Sequence, residues 1–193
     1  MSAGLLGLPP DRVALLLVDF QHDFCDDNVG NAATARRAHD VATEAARYGV
    51  RTIYSRQVYD PARLTGRQRR REGPNSLCHQ GSRGAELFVP PVGGARVVRK
   101  YSYDVWRSDE FTALLAEWDV DGLVIGGVEL QCCVLYAVLG ADERGYHYAV
   151  PPDLVSGIDR CETTSNRAVR DYLGHVHPSP VSAELLAAWA NRV

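Results

Sequence analysis

Three residues far apart in the chain sit in positions that suit acyl-transfer chemistry. Asp19 follows the apolar run Val13–Val18 (VALLLV), Lys100 closes the run RVVRK, and Cys133 comes just after residues 123–128 (LVIGGV). In such a set a thiolate attacks a carbonyl carbon and an ammonium steadies the thiolate. The carboxylate carries protons to the leaving group and from the later water. Cys132 and Cys133 fall in the first turn of a helix expected over residues 131–145, where unpaired backbone NH groups and the helix dipole favour thiolate. Cysteine is also a small core hydrophobe, so one of the adjacent pair reads as packing. Backbone NH groups at this strand-to-helix turn, on Cys133 and near Glu129, are placed to hold an oxyanion.

Lys100 carries a second signal. Of 21 basic residues, 20 are arginine and Lys100 is the one lysine. A strand end that departs from this usage points to a need for a compact, tunable ammonium rather than a fixed guanidinium.

The elements that must position these residues alternate between strand and helix. Unbroken apolar runs at Val13–Val18 and 123–128 read as buried parallel strands. Residues 50–58, 95–101 and 146–150 read as further strands. Helices are expected over 31–48 (alanine-rich, closed by Gly49), 108–119 (capped by Ser108), 131–145, 159–173 and 181–191, with 175–180 as a short edge strand. Right-handed crossovers then give a single-domain, Rossmann-like α/β fold, a three-layer α/β/α sandwich around a mainly parallel sheet spanning 1–193. In such a sheet ligands bind beyond the carboxyl ends of the strands, where strand order reverses. Asp19, Lys100 and Cys133 are all delivered to that edge. Residues 59–94, with their prolines and glycines, form a long connection of the kind that covers a site.

Composition narrows the function classes. The net charge of −3 gives no electrostatic case for nucleic acid. The arginines at 63, 67, 69, 70 and 71 lack interleaved aromatics and read as a solvated loop, an anionic-substrate contact or a subunit contact. No apolar run approaches the roughly 18 residues of a membrane span, and residues 1–12 lack the pattern of a signal peptide. Five cysteines without a CxxC motif indicate a reducing compartment, so a cytoplasmic protein is expected. His175 and His177 alternate as ligands on a strand would, with no third ligand evident; Asp23, Asp26 and Asp27 miss the spacing of a calcium loop.

With these residues in place, the chain resembles the isochorismatase-like cysteine hydrolase superfamily, which includes nicotinamidases, N-carbamoylsarcosine and ureidoacrylate amidohydrolases, and isochorismatases. ALLLVDFQHDF (14–24) resembles the family's first strand and its Asp, here Asp19. CHQGSRGAEL (78–87) resembles its Cys, Gly-Ser, Gly-Ala segment. VVRKYSYDVW (97–106) resembles the strand bearing its lysine and following aromatic, here Lys100 and Trp106. GGVELQCCV (126–134) resembles the Gly-Val-x-Thr-x-x-Cys-Val signature, whose register makes Cys133, rather than Cys132, the nucleophile.

The resemblance implies an Asp19, Lys100, Cys133 triad and a cis peptide between Val128 and Glu129. It also implies hydrolysis of C–N bonds other than peptide bonds in small amides, ureides or carbamoyl compounds through a thioacyl intermediate. Two departures bear on the substrate. The nicotinamidases' Asp-x-His metal segment corresponds to SRQVYDP (55–61), which has no histidine, so no metal and no other cofactor is expected. The signature threonine is Leu130. Phe24, Arg56 and Trp106 are placed as pocket residues, with Arg56 positioned to meet a substrate carboxylate. A small-molecule substrate, no membrane or nucleic-acid partner, and a homo-oligomer (dimer or tetramer) complete the expectation. Two other functions fit the scaffold. One is an isochorismatase-type vinyl ether hydrolase, although members with that activity lack the cysteine. The other is a non-catalytic or redox thiol protein using Cys132 and Cys133.

Overall fold

The computed structural model describes residues 5–72, 76–157, 164–176 and 178–192. Five strands, β1 (Val13–Val18), β2 (Arg51–Gln57), β3 (Arg96–Lys100), β4 (Gly122–Gly127) and β5 (His147–Ala149), form an all-parallel sheet in the order β3-β2-β1-β4-β5. The chain builds outward from β1 to β3, returns to the other side of β1, and finishes with β4 and β5. The reversal therefore lies between β1 and β4, and their ends pair Val18 with Gly127.

The helices are α1 (His22–Cys25), α2 (Val29–Ala46), α3 (Gly66–Glu72), α4 (Asp109–Glu117), α5 (Leu135–Glu143), α6 (Thr164–Val176) and α7 (Ser182–Ala190). They cover both faces of the sheet. β1 shows why its sequence is apolar throughout: Ala14, Leu16 and Val18 enter the core with α4, α5 and α6, while Val13, Leu15 and Leu17 enter the core with α2 and α7. A strand with two buried faces has no place for a polar side chain, and each fully buried Leu contributes roughly 1.5–3 kcal/mol. α2 packs through its small residues Ala35, Ala38, Ala42 and Ala45. Its N-terminus is capped by Asn28, whose side-chain oxygen accepts the Asn31 NH. Ser108 stands at the N-cap position of α4 but makes no capping hydrogen bond through its side chain.

The sandwich agrees with the sequence expectation, and three local features correct it. Residues 59–94 are not a bare loop: they hold α3 and a 3-10 turn, Arg83–Ala85, with Cys78 NH anchored on Asp23 Oδ2 at 2.6 Å. The expected edge strand over 175–180 is absent among the described residues. His175 lies in the last turn of α6, because the helical stripe continues past Leu173, and 178–180 have no regular structure. His177 and Cys161 lie outside the described residues. The helix expected over 131–145 begins instead as a π-helical turn, Leu130–Val134, before α5 takes over. No helix among the described residues is long and apolar enough to cross a membrane.

Candidate active site

Asp19 is the first residue beyond β1. It adopts a left-handed backbone conformation (φ 55°), which Asp tolerates better than most residues, and its side chain is fully buried. Its Oδ1 accepts a hydrogen bond from Ser55 Oγ at 2.8 Å, and its Oδ2 meets Lys100 Nζ at 2.6 Å. β3 lies two strands from β1, about 9.6 Å by sheet spacing, so only a long side chain can make this contact. The Lys100 stem crosses the end of β2 to do so. On the way its ammonium donates to Gln57 Oε1 at 3.0 Å and to the Ser102 carbonyl at 3.1 Å.

The third group arrives from the far side of the switch point. Gly127 has φ 142°, and a Cβ there would lie 2.4 Å from the Val18 carbonyl oxygen, so only glycine lets β4 close against β1 at this level. The next peptide, Val128–Glu129, is cis. The π-helical turn then carries Cys133 to 3.4 Å from Lys100 Nζ. The Glu129 carbonyl collects the NH groups of Cys132 and Val134, and Leu130 NH donates to the Ser156 carbonyl. Wide turns of this kind recur at functional sites because they re-aim one side chain.

The electrostatics reverse one sequence expectation. The helix start was expected to favour thiolate. Instead burial, reinforced by Asp19, pushes the Cys133 thiol up, and Lys100 opposes them without prevailing. For Lys100, burial acts downward, but Asp19 and Cys133 outweigh it and the net direction is upward. Asp19 and Lys100 thus form a buried ion pair at 2.6 Å, and burial together with Asp19 favours the neutral form of the neighbouring thiol. The thiol is 4% exposed and lies next to a carboxylate, both of which act against ionisation.

Beyond this floor opens a cavity of about 460 Å³. Gln57 and Ser102, both bonded to Lys100, line it, which ties it to the three buried groups. Its walls include Phe24 and the tyrosines Tyr59, Tyr101, Tyr103 and Tyr136.

Of the residues expected in the pocket, Phe24 is there and two are not. Arg56 does not line this cavity: it donates to the Ala85 carbonyl and pairs with Glu86, each at 2.9 Å, because β2 turns its side chain to the face opposite Ser55 and Gln57. Trp106 is a core residue. Its ring fills the space over Gly140, where a Cβ would lie 2.1 Å away, and its Nε1 donates to the Ala137 carbonyl at 2.9 Å. Cys132, half-buried, packs against the core beside Cys133.

Sequence reasoning missed Ser55, Gln57 and Asn31. The first two were detectable in principle as polar residues on one face of a buried strand, two apart at its carboxyl end. Asn31 was not: only the fold shows that its Nδ2 reaches Glu129 Oε1 at 2.9 Å and the Phe24 carbonyl at 2.8 Å.

The residues do not fit a metal site of the expected kind. Among the described residues no three His, Cys, Asp or Glu side chains converge. The segment after β2 offers Tyr59, packed edge-on against His79 with centroids 4.7 Å apart, and Asp60, which accepts Ala62 NH.

An all-parallel sheet that gathers an acid, an amine and a thiol beyond the carboxyl ends of its strands suits nucleophilic chemistry. Residues 13–179 match the family described as Isochorismatase domain, and the chain belongs to that family. No curated protein matches the chain by sequence. Among solved structures it is similar to a cysteine hydrolase from Pseudomonas syringae pv. phaseolicola 1448A (20% identity, TM-score 0.83, all of both chains covered). It is also similar to N-carbamoylsarcosine amidase from Thermoplasma acidophilum (22% identity, TM-score 0.71, 88% of this chain and 95% of that one). A third similar structure is the pyrazinamidase of Pyrococcus horikoshii in complex with zinc (21% identity, TM-score 0.73, 85% and 95%). At these identities the likenesses establish the fold.

Proposed function

We propose that the protein is a metal-independent amidohydrolase that cleaves a C–N bond of a small amide, ureide or carbamoyl compound, with Cys133 as nucleophile. The observation that carries this reading is Lys100 Nζ, held 2.6 Å from Asp19 and 3.4 Å from Cys133 and hydrogen-bonded to Gln57 and Ser102, which line a cavity. Family membership and the amidase among similar structures support it.

The order of proton transfers is dictated by the resting charges. As sulfur bonds to the substrate carbonyl carbon, the thiol proton passes to Asp19, so no free thiolate is needed beforehand. The carbonyl oxygen takes up the negative charge, and the Glu129 and Cys133 backbone NH groups are the proposed donors to it. When the C–N bond breaks, the proton on Asp19 goes to the departing nitrogen. Water then attacks the thioester, giving one proton to Asp19, and that proton returns to sulfur as the acid leaves. Lys100 stays protonated throughout, offsetting the charge that moves between carboxylate and sulfur. Metal independence rests on the donor sets around the cavity, which lack a convergent group of ligands among the described residues.

A panel of primary amides, ureides and carbamoyl amino acids, assayed for ammonia or amine release with wild type and Cys133→Ala, tests the reading. Release by wild type alone is the expected result; folded wild type that releases nothing from any of them overturns it.

A further inference from the structure

The cavity wall carries more guanidinium than carboxylate side chains. The protein carries −3 overall, yet two guanidinium groups, Arg71 and Arg107, face this cavity with one carboxylate, Asp104. That carboxylate is already engaged, its Oδ1 accepting the Trp106 NH at 2.9 Å. At the floor, Lys100 and Asp19 cancel. Arg107 therefore offers the wall a guanidinium, and a concave setting concentrates its field on whatever enters.

The backbone of Arg107 is well anchored. It ends the 3-10 turn Val105–Arg107, whose middle residue, Trp106, is buried and hydrogen-bonded to Ala137. Among the described residues no carboxylate pairs with Arg107. Beside the polar Gln57, Ser76 and Ser102, the surface carries Phe24, Leu64, Leu77, and the rings of Tyr103 and Tyr136 with centroids 6.2 Å apart. A volume of about 460 Å³ accommodates one ring or a short chain, not a polymer.

We propose that the cavity selects small amides bearing a carboxylate at the end remote from the scissile carbonyl, with Arg107 as the specificity-determining residue. The proposal rests on the amidohydrolase reading for turnover, and on the cavity alone for binding. The role that sequence assigned to Arg56 thus falls to an arginine on another element. A guanidinium fork matches a carboxylate in two parallel hydrogen bonds, which a methyl or a neutral amide in that place cannot supply.

The test compares matched pairs, 4-carbamoylbenzoate with benzamide and succinamate with butanamide, in kcat and KM for wild type, Arg107→Met and Arg107→Lys, each checked by circular dichroism for an unchanged fold. The expected result is a preference of at least about tenfold in kcat/KM for the acid of each pair. Arg107→Met should bring that ratio to within about twofold through KM, and Arg107→Lys should keep part of it. A wild-type ratio near one, or a ratio unchanged in Arg107→Met, overturns the proposal while leaving the hydrolase intact.

If folded wild type hydrolyses none of the four, calorimetric binding to Cys133→Ala decides the cavity question separately. Binding of 4-carbamoylbenzoate over benzamide that disappears in the double variant with Arg107→Met supports the selectivity. Equal binding of both, or binding of neither, overturns it.

Discussion

The floor and the wall of the cavity handle charge in opposite ways. At the floor, a carboxylate and an ammonium are both sealed from water and paired at 2.6 Å, with Ser55 and Gln57 adding hydrogen bonds to them. At the wall, Arg107 is exposed, and among the described residues no carboxylate pairs with it. A buried pair is costly to break and poorly screened, so it can serve chemistry that moves charge by a few ångströms. An exposed guanidinium costs little to keep and can meet a ligand, so it can serve selection. Breaking the ion pair at the floor should therefore damage catalysis and folding together, whereas substituting an exposed arginine of the wall should leave folding alone.

The largest effect should come from Cys133→Ala, which is expected to lower kcat by at least about 10⁴-fold without loss of fold, measured by amide turnover and thermal unfolding. Lys100→Met should abolish turnover and also cost about 3–5 kcal/mol in denaturant unfolding, because it strands the Asp19 carboxylate without its partner. If Lys100→Met proves as stable as wild type, the floor is not a sealed ion pair. Asn31→Ala removes the bonds to Glu129 and Phe24 and should cost about 1–3 kcal/mol, with a fall in kcat, since Glu129 precedes the turn bearing Cys133 and Phe24 lines the cavity. At the small end, Arg56→Gln should change stability by no more than about 1 kcal/mol and leave kcat/KM within about twofold, because Arg56 pairs with Glu86 away from the cavity.

The buried thiols supply a pH test of the same contrast. Burial pushes Cys133, Cys78 and Cys25 up, Cys25 to about 12. The folded chain then holds these protons to higher pH than the unfolded chain, whose thiols titrate near about 8.5. The stabilisation is complete below that value and is lost as pH rises towards the folded values, so stability should decline on the alkaline side. Urea midpoints from pH 7 to 10 check the sign; a flat or rising profile contradicts it. Iodoacetamide labelling of Cys133 should likewise climb about tenfold per pH unit with no plateau near neutrality.

The strands and the three floor residues were legible in the sequence because a sheet topology fixes where strand ends lie. VALLLV and LVIGGV can only be buried strands, and the residues after each must emerge at one edge. The wall was less legible. Arg56 and Trp106 were placed by proximity in sequence, yet side-chain alternation sends Arg56 to the other face and the hollow over Gly140 draws Trp106 into the core. The forces acting on the Cys133 thiol were also only half legible, since a sequence shows the helix end but not the burial beside Asp19. Arg107 and the tyrosines reach the cavity from separate connections, and no local pattern announces that.

The most direct test of the account is peptide mapping after rapid acid quench, during turnover of whichever amide in the panel is hydrolysed fastest, with wild type, Cys132→Ala and Cys133→Ala in parallel. The account predicts an acyl mass on the Cys133 peptide and ammonia release in both wild type and Cys132→Ala, and neither in Cys133→Ala. Acyl mass on Cys132, or turnover that survives in Cys133→Ala, would contradict it.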